Sequence, residues 1–426
     1  MTETRPTITS HSEPLPIDHV DTPGGGAIAM CYCPGRIDPN GDQAVWRRDL
    51  AADLARIDAF GVRAIVTLVE PLELETSQIQ DIGAQAEALG IDWHHLPIID
   101  REAPGPKFEV YWSLVGRRLR ARLAAGERIL LHCMGGRGRT GLLAARLLIE
   151  LGEDPETAIL KVRDARQYAI ESLPQEDYVR ACQVPGDDEG YGERIWAALL
   201  GSALADDFGR ASNAAMGTLD ALLAARARTG RVDADEAVAR ARQAPHDNMA
   251  ALLGPARAAP VGWIEEWTPM HCFEVAERVA GMSGGAPGAA AMISRLLLDG
   301  MEIGDAAVTC VEHLSNPDQA EARQAVHAAL LLSPGRPGSL AGEPREIERG
   351  LAFTDPTAHA LAVALRAAIT ADDLPSAIAT CSGRGEVAAL AGQFYGARHG
   401  IMALPFDQVR RLDRLDDIIE LGGAWI

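Results

Sequence analysis

The sequence contains very little lysine, no regular set of cysteines and no long run of apolar residues. Only Lys107 and Lys161 are lysines, so the basic side chains are nearly all arginines. The seven cysteines are odd in number and scattered, without a Cys-x-x-Cys pair, which argues against a disulfide framework and against the common zinc motifs. No apolar run is long enough to span a bilayer.

The chain also lacks an excess of positive charge. Its net charge is -20, which argues against nonspecific binding of nucleic acid and against avid binding to acidic membranes. Residues 1–25 have no apolar core of the kind that signal peptides contain, and they are predicted to form a flexible leader. We therefore expect a cytoplasmic protein with neither nucleic acid nor membrane among its partners.

The periodicity and the alanine content of the sequence change near its middle, which predicts two domains. Residues 26–188 alternate strand-like and helix-like runs, which is typical of an α/β domain with a mostly parallel sheet flanked by helices. The strand-like runs are 62–70, 91–100 and 129–131, and the helix-like runs are 46–60, 76–89 and 108–126. Residues 189–426 are rich in alanine with helical periodicity, which predicts an all-α domain.

A glycine-rich segment, "HCMGGRGRTG" at 132–141, lies between a predicted strand and a predicted helix. Its "GRGRTG" part fits the GxGxxG pattern of dinucleotide-binding loops, but the acidic strand end expected about 20 residues later is missing. The lysine of nucleoside-triphosphate P-loops is also missing. A different spacing fits better, because Cys133 is followed after five residues by Arg139 and then by Thr140.

That spacing has a physical rationale. The glycines permit a tight curl in which backbone N–H groups converge on one point, and the following helix directs its positive end to the same point. An oxyanion such as phosphate would bind there, where the local field also favours a thiolate on Cys133. The planar guanidinium of Arg139 can hold two phosphate oxygens.

This segment resembles the HCxxGxxR[ST]G motif of the cysteine-based protein tyrosine phosphatases, specifically the dual-specificity branch. Over about residues 30–182, including "CPGR" and "LARIDAFGVRAIVTLV", the sequence is similar to the kinase-associated phosphatases. The resemblance implies that Cys133 forms a cysteinyl-phosphate, that Arg139 binds the phosphoryl group, that the Thr140 hydroxyl helps to expel the thiolate, and that His132 helps to stabilise it. It also implies that the backbone of the loop binds phosphate. The loop residues are Met134, Gly135, Gly136, Arg137, Gly138 and Arg139.

Three further residues follow from the same resemblance. The family needs an acid about thirty residues before the cysteine, and Asp100 in the segment "HHLPIIDREAPGP" fits that place. The segment "VRDARQYAIESLPQEDYV" resembles a later part of the family, where Arg166 would brace the loop and Gln175 would orient the hydrolytic water.

The sequence is compatible with several classes of phosphoester substrate. Phosphorylated protein leads, on tyrosine, serine or threonine, and the alternatives are inositol or lipid phosphates and nucleotide-linked phosphates. The loop is also similar to the CKAGKGRTG motif of phosphoinositide phosphatases, in which Arg137 matches the second lysine and Met134 replaces the first.

The second half resembles the ADP-ribosylglycohydrolase family. Its segments at 199–209, 254–263 and 376–405 are similar to that family's opening helix, its MRxAPLG segment and its long GGDTDT segment. In the family, two acidic stretches hold a pair of magnesium ions, which prefer hard oxygen ligands. The positions that match these stretches here are Ser212, Asn213, Gly383, Arg384, Gly385 and Glu386.

Because most of these positions lack carboxylates, we expect a non-catalytic helical domain without a metal, and a protein without a cofactor. Two classes of function therefore remain. The chain is either a phosphatase with a helical partner domain, or a binding protein whose helical domain recognises an ADP-ribose-like ligand.

Overall fold

The computed structural model describes residues 5–41, 44–186, 191–206, 209–226, 230–243, 250–331, 353–381, 383–409, 411–412 and 414–423. The chain divides into two compact units, Met1–Asp187 and Asp188–Ile426. The first contains both sheets, and the described part of the second contains only helices. The predicted fold class, an α/β domain followed by an all-α domain, is confirmed.

The first unit is built around a five-stranded sheet with the strand order β2-β3-β8-β6-β7. Strand β2 pairs antiparallel with β3, and all other neighbours in this sheet are parallel. A smaller sheet has the order β1-β5-β4. The strands are β1 (Thr7–Ile8), β2 (Asp18–Asp21), β3 (Ala27–Cys31), β4 (Ile37–Asp38), β5 (Val45–Arg47), β6 (Val62–Thr67), β7 (Asp92–His95) and β8 (Arg128–His132).

Strand β8 occupies the centre of the larger sheet and leads directly to the candidate loop. Ile129, Leu130 and Leu131 are completely buried, as expected for a parallel strand covered on both faces. The helices of this unit are α1 (Leu50–Ala59), α2 (Pro71–Thr76), α3 (Ile82–Ala88), α4 (Pro106–Ala124), α5 (Gly138–Glu150), α6 (Pro155–Ala165) and α7 (Leu173–Ala181). Helix α5 starts where the loop after β8 ends.

The structure corrects several predicted element boundaries. The stretch predicted as one helix at 76–89 contains the end of α2, a turn in which Gln78 has a φ of 57°, and then α3. The helix predicted at 46–60 starts only at Leu50, because the Asp49 side chain accepts a hydrogen bond from the N–H of Ala52 and caps it.

The flexible leader predicted for residues 1–25 is also corrected over its described part. Strand β1 pairs with β5 and strand β2 pairs with β3, so backbone hydrogen bonds hold both segments in sheets. Leu15 is completely buried between them. Residues 1–4 lie outside the described residues.

The second unit is a bundle of helices, and no helix among its described residues or those of the first unit is long and apolar enough to cross a membrane. The α-helices of its described part are α8 (Tyr191–Asp206), α9 (Arg210–Arg226), α10 (Ala234–Gln243), α11 (Ala250–Ala258), α12 (Pro269–Ala280), α13 (Ala286–Leu298), α14 (Ile303–His313), α15 (Ala320–Leu331), α16 (Pro356–Thr370), α17 (Leu374–Thr380), α18 (Gly385–His399), α19 (Phe406–Val409) and α20 (Leu415–Gly423). Short 3-10 segments lie at Ala259–Trp263, Pro317–Gln319 and Ile401–Ala403.

Helices α8 and α18 approach each other closely because glycines line their contact. A Cβ atom at Gly392 would lie 2.1 Å from the carbonyl oxygen of Gly201, and one at Gly396 would lie 2.0 Å from that of Ala197. A larger side chain at either position would push the helices apart. This contact joins the two helices whose ends carry Asp206 and Gly385.

Candidate active site

The loop after β8 curls around the sulfur of Cys133. Gly136 has a φ of 67°, and a Cβ at this position would lie 2.2 Å from the carbonyl oxygen of Cys31. Glycine is therefore required by both the backbone conformation and the space. The N–H of Gly136 donates a hydrogen bond to the Cys133 sulfur at 3.2 Å, and only 3% of the Cys133 surface is exposed.

Helix α5 begins without a side chain that caps its N-terminus. Arg137 precedes the helix and makes no capping hydrogen bond, so first-turn N–H groups stay available to an anion. The Thr140 hydroxyl in this first turn is buried and has no hydrogen-bond partner among the described residues. Its oxygen is therefore available to a group that binds in the loop.

Arg139 is held by a carboxylate that the sequence analysis missed. Its Nη1 and Nη2 atoms donate to the two carboxylate oxygens of Glu73 at 2.5 Å and 2.9 Å. Burial acts to raise the pKa of Glu73, but hydrogen bonds from Arg139 and from the Glu70 backbone outweigh it and lower the pKa. For Arg139, the contact with Glu73 outweighs burial and raises the pKa. Glu73 lies in the acidic run "VEPLELE", and nothing in that spacing distinguishes it from its neighbours.

Asp100 lies at the same guanidinium group. Its Oδ1 atom is 3.1 Å from Nη2 of Arg139, while 62% of its side chain is exposed. The carbonyl of Ile98 accepts a hydrogen bond from Nη1 of Arg139 at 3.2 Å, which ties the loop carrying Asp100 to the arginine. Arg101, the next residue, has a φ of 64°. The structure thus brings Cys133, Arg139 and Asp100 into one site.

Arg166 braces the loop from its outer side. Its guanidinium donates to the carbonyl of Gly136 and, at 3.3 Å, to that of Gly135. Its Nη1 atom also contacts Asp18 on β2 at 2.5 Å. These bonds hold two loop carbonyls toward Arg166, while the N–H of Gly136 points to the Cys133 sulfur. The sequence gives no signal for this role of Asp18, which lies in the predicted leader.

Gln175 packs against the start of α5. It is completely buried, and its Oε1 atom accepts a hydrogen bond from the N–H of Glu171 at 3.0 Å. A Cβ at Gly138 would lie 3.0 Å from that oxygen, so the glycine makes room for the amide. The Nε2 atom of Gln175 has no partner among the described residues.

His132 is buried beside the cysteine and is neutral at physiological pH. Burial lowers its pKa to about 3, although the Cys133 backbone opposes this shift by hydrogen bonding. A stabilising influence of His132 on the thiolate therefore depends on hydrogen bonding rather than on positive charge. Its Nε2 atom lies 2.8 Å from the Thr67 hydroxyl.

Met134 and Arg137 contribute their side chains elsewhere. The Met134 sulfur accepts a weak hydrogen bond from Ser77 at 3.8 Å, and its carbonyl accepts one from the N–H of Cys33 at 3.2 Å. The exposed Arg137 guanidinium lies 5.9 Å from the ring centre of Tyr168. Met134 and Arg137 would therefore contact a bound phosphate through their backbone atoms, or, in the case of Arg137, after its side chain moves.

Two of the positions predicted as former metal ligands in the second unit, Ser212 and Gly385, lie beside Asp206. Asp206 accepts hydrogen bonds from the N–H groups of Ala211 and Ser212 at 3.1 Å and 3.0 Å, and from the Ser212 hydroxyl. A Cβ at Gly385 would lie 3.6 Å from the Cβ of Asp206. Burial of Asp206 raises the pKa of its carboxyl group despite these hydrogen bonds.

The remaining former metal positions supply few oxygen donors. Asn213 accepts from Arg414 at 2.5 Å and donates to the Gly209 carbonyl at 3.0 Å. The residues at 383–386 are two glycines, Arg384 and Glu386, with Arg384 immediately before α18. Over the described residues there is no group of three or more His, Cys, Asp or Glu side chains placed to hold a metal, and Asp207 lies outside them. The oxygen donors that these described residues supply do not fit a pair of magnesium ions.

Comparisons with known proteins place each unit in a class. Residues 41–153 match a family model described as a polymorphic toxin system, DSP-PTPase phosphatase. Residues 201–425, more than half of the chain, match the family model of the ADP-ribosylglycohydrolases. The chain belongs to the ADP-ribosylglycohydrolase family and carries, ahead of that domain, a dual-specificity phosphatase-like domain. The predicted resemblances are thereby confirmed.

The curated relatives match the first unit. Cyclin-dependent kinase inhibitor 3 of Homo sapiens is 30% identical over 136 residues, which are 31% of this chain and 63% of the relative. The same protein of Rattus norvegicus is 29% identical with the same coverage. A probable protein tyrosine phosphatase type IVA A of Dictyostelium discoideum is 30% identical over 95 residues, 22% of this chain and 55% of the relative. The chain thus spans less than two thirds of the length of these relatives.

Solved structures similar to each unit are also known. A kinase-associated phosphatase with serine in place of its catalytic cysteine has a TM-score of 0.35 and 26% identity, and the match covers 39% of this chain and 93% of that one. An ADP-ribosylglycohydrolase-related protein complex has a TM-score of 0.40 and 17% identity, and the match covers 55% of this chain and 97% of that one.

Proposed function

We propose that the chain is a cysteine-dependent phosphatase that hydrolyses phosphomonoesters through a cysteinyl-phosphate intermediate. One observation supports this most strongly: Asp100 lies 3.1 Å from Arg139, which follows the loop that curls around Cys133. A nucleophile, an anion-binding arginine and a proton donor thus converge within one site. The buried Thr140 hydroxyl and the uncapped start of α5 add further groups for a bound oxyanion.

In the first step, loop N–H groups and Arg139 bind the oxygens of the phosphoryl group, and the Cys133 thiolate attacks phosphorus. The bond from phosphorus to the ester oxygen breaks, and that oxygen takes its proton from the carboxyl group of Asp100. Glu73 holds the guanidinium plane of Arg139 while the phosphoryl group transfers. The products are an alcohol or phenol and a phosphocysteine.

In the second step, water attacks the phosphocysteine and the Asp100 carboxylate accepts a proton from that water. The bond between sulfur and phosphorus breaks, and inorganic phosphate and the Cys133 thiolate are released. The Thr140 hydroxyl donates a hydrogen bond to the departing sulfur. The Nε2 of Gln175, which has no partner within the described part of the chain, is the group that would orient the water. Neither step consumes a cofactor.

The substrate proposed first is phosphorylated protein, on tyrosine, serine or threonine. The curated relatives bear the name of a cyclin-dependent kinase inhibitor, which favours a protein partner for the matching part of this chain. Inositol or lipid phosphates and nucleotide-linked phosphates are the second candidates. The exposed guanidinium of Arg137 at the rim is the feature that favours a second anionic group on the substrate.

The helical domain is proposed to be non-catalytic. The Asp206 carboxylate already accepts three hydrogen bonds, and the positions 383–386 supply Glu386 alone as an acidic side chain. A binding role for an ADP-ribose-like ligand is the second candidate function, since the family match covers this domain. We propose a cytoplasmic location, in keeping with the character of the sequence.

The test is hydrolysis of p-nitrophenyl phosphate by the full chain in the presence of EDTA. The proposal expects turnover that vanadate inhibits and that EDTA leaves unchanged. Absence of turnover, or turnover lost with EDTA, contradicts it. A panel of phosphotyrosine peptides, phosphothreonine peptides and phosphoinositides then ranks the substrates, and a preference for phosphoinositides would overturn the protein-substrate proposal alone.

A further inference from the structure

Four large apolar side chains of the first unit are exposed next to residues of the candidate site. Leu72, Ile99, Tyr168 and Leu173 each have between 62% and 74% of their surface exposed. Single exposed apolar residues are common on protein surfaces, whereas several of them around one site mark a place where a partner binds. Their positions relative to the site therefore decide what they indicate.

Leu72 and Ile99 each adjoin a residue that contacts the guanidinium of Arg139. Leu72 precedes Glu73, whose carboxylate accepts two hydrogen bonds from Arg139. Ile99 follows Ile98, whose carbonyl accepts a hydrogen bond from Arg139 at 3.2 Å. The two apolar side chains thus belong to two segments, α2 and the loop after β7, that meet at the same arginine.

Tyr168 and Leu173 lie on the segment between α6 and α7 and at the start of α7. Leu173 is the first residue of α7, and the hydroxyl of Ser172 before it donates to the Arg101 carbonyl at 2.6 Å. This bond ties the start of α7 to the loop after β7. The ring centre of Tyr168 lies 5.9 Å from the guanidinium carbon of Arg137, which belongs to the phosphate-binding loop. Both side chains therefore adjoin segments that form the site.

The backbone holds Tyr168 in a conformation that bulky side chains rarely adopt. Tyr168 has a φ of 64° and Ile170 a φ of 62°, which are left-handed values. The N–H of Ile170 donates to the Arg137 carbonyl at 3.3 Å. Arg163 donates to the carbonyls of Ala169 and Ile170 at 3.1 Å and 3.3 Å. These bonds keep the strained turn, and with it an exposed aromatic ring, beside the phosphate-binding loop.

The chemistry of this surface favours one kind of occupant. A phosphoester held at Cys133 places the rest of its molecule against the residues around the loop. Free inositol phosphates and nucleotides are strongly polar and bury little apolar surface. A membrane would cover apolar side chains, but the net charge of -20 disfavours an acidic lipid surface. A polypeptide with apolar side chains next to its phosphorylated residue suits both the loop and the side chains around it.

We propose that Leu72, Ile99, Tyr168 and Leu173 form a docking surface for apolar residues that flank the phosphorylated residue of a protein substrate. The inference rests on the proposed phosphatase function and deepens it, because it selects phosphoprotein among the candidate substrates. It also states which phosphoprotein sequences the site prefers.

The experiment compares pairs of phosphotyrosine and phosphothreonine peptides with leucine or serine on both sides of the phosphorylated residue. The ratio of kcat/KM between the leucine and serine peptides cancels any general change in catalysis. We expect a wild-type ratio of about ten, the effect of partly burying a leucine side chain. Leu173→Ser and Ile99→Ser should each lower this ratio by roughly threefold, and exposed positions tolerate serine without unfolding. A wild-type ratio near one overturns the proposal.

Leu160→Ser is the matched control. Leu160 on α6 is similarly exposed but adjoins none of the residues that contact Arg139 or Arg137, so the ratio should stay at the wild-type value. An equal fall in Leu160→Ser and Leu173→Ser would overturn the proposal. Binding of the chain to phosphatidylcholine vesicles that contain a phosphoinositide, if Leu173→Ser abolished it, would assign the surface to a membrane and would also overturn the proposal.

Binding of the same peptides to the Cys133→Ser variant, measured by fluorescence anisotropy, needs no turnover. A wild-type chain without phosphatase turnover whose Cys133→Ser variant binds the leucine peptides about tenfold more tightly would overturn the function and keep the docking surface. Normal turnover of p-nitrophenyl phosphate with equal values for the leucine and serine peptides would do the reverse.

Discussion

The N-termini of two helices, one in each unit, show how differently the two candidate sites treat their polar groups. Helix α5 starts at the phosphatase-like loop without a capping side chain. Helix α9 starts with N–H groups that already donate to Asp206. The first helix leaves its N–H groups for a ligand, whereas the second has them satisfied by its own chain.

The same contrast holds for the surrounding side chains. In the phosphatase-like site, Thr140 and Gln175 keep polar atoms that are buried and without partners among the described residues. In the helical site, the Ser212 hydroxyl bonds to Asp206, and Asn213 bonds to Arg414. Buried polar atoms without partners are costly, and those of Thr140 and Gln175 lie where an oxyanion or a water bound in the loop could satisfy them. The helical domain thus keeps the scaffold of its family, although these polar side chains form hydrogen bonds with one another.

The largest expected effect, and the strongest test of this contrast between the two sites, concerns Cys133 as the nucleophile. We expect Cys133→Ser to lower turnover of aryl phosphates on the order of 10⁴–10⁶-fold, because an alcohol replaces the thiolate. The variant should still bind tungstate, measured as a rise in thermal melting temperature, since the loop N–H groups and Arg139 remain. Near-normal turnover in this variant would remove the nucleophile from the proposal.

The second test concerns the proton donor. Asp100→Asn should lower turnover by roughly 10²–10⁴-fold, the usual contribution of general acid catalysis. The loss should shrink for esters with very acidic leaving groups, which depart without a proton. A series of substituted phenyl phosphates measures this dependence, and an equal loss for all of them would assign Asp100 to holding Arg139.

The third test concerns the carboxylate that holds Arg139. Glu73→Gln keeps the shape but removes the charge, so kcat/KM should fall by roughly 10–100-fold, the equivalent of one or two charge-assisted hydrogen bonds. Glu75→Gln, on the same helix, is the matched control and should leave kcat/KM unchanged. Equal effects of the two substitutions would deny Glu73 a specific role.

The lowered pKa of Glu73 also predicts a dependence of stability on pH. Its ordinary value is 4.5, and contact with Arg139 lowers it in the folded state despite burial. The stabilisation is therefore complete above pH 4.5 and is lost as the pH falls through the lower folded value. Urea unfolding of wild type and Glu73→Gln should show a stability difference at pH 7 that disappears in acid. A difference that grows in acid would reverse the sign of this argument.

The smallest effect is expected in the helical domain. Magnesium should leave its melting temperature unchanged, and no ADP-ribose should be released from ADP-ribosylated protein. Asp206→Ala should cost about 1–2 kcal/mol of stability, the usual effect of losing a helix cap. Release of ADP-ribose, or a saturable stabilisation by magnesium that Asp206→Ala abolishes, would contradict the contrast between the two sites.

Several parts of the site could be read from the sequence because they are close together along the chain. Cys133, Arg139 and Thr140 belong to one loop, and the glycines between them are required by local backbone geometry at Gly136. The alternation of strands and helices also follows from local periodicity, and it predicted the parallel sheet. Asp100 was placed by its distance from the motif, as the resemblance implied.

Other parts of the site were decided only by the tertiary structure. Glu73, Asp18 and Thr67 contact Arg139, Arg166 and His132 from α2, β2 and β6, and more than sixty residues separate the partners of each pair along the chain. Their neighbours include other acidic or hydroxyl side chains, so residue type and spacing give no way to choose among them. Sheet register puts Thr67 beside His132, and burial turns that proximity into a hydrogen bond without competing water. The sequence alone identified the groups proposed to carry the chemistry, and packing decided which groups hold them in place, because only packing brings distant side chains within hydrogen-bonding distance.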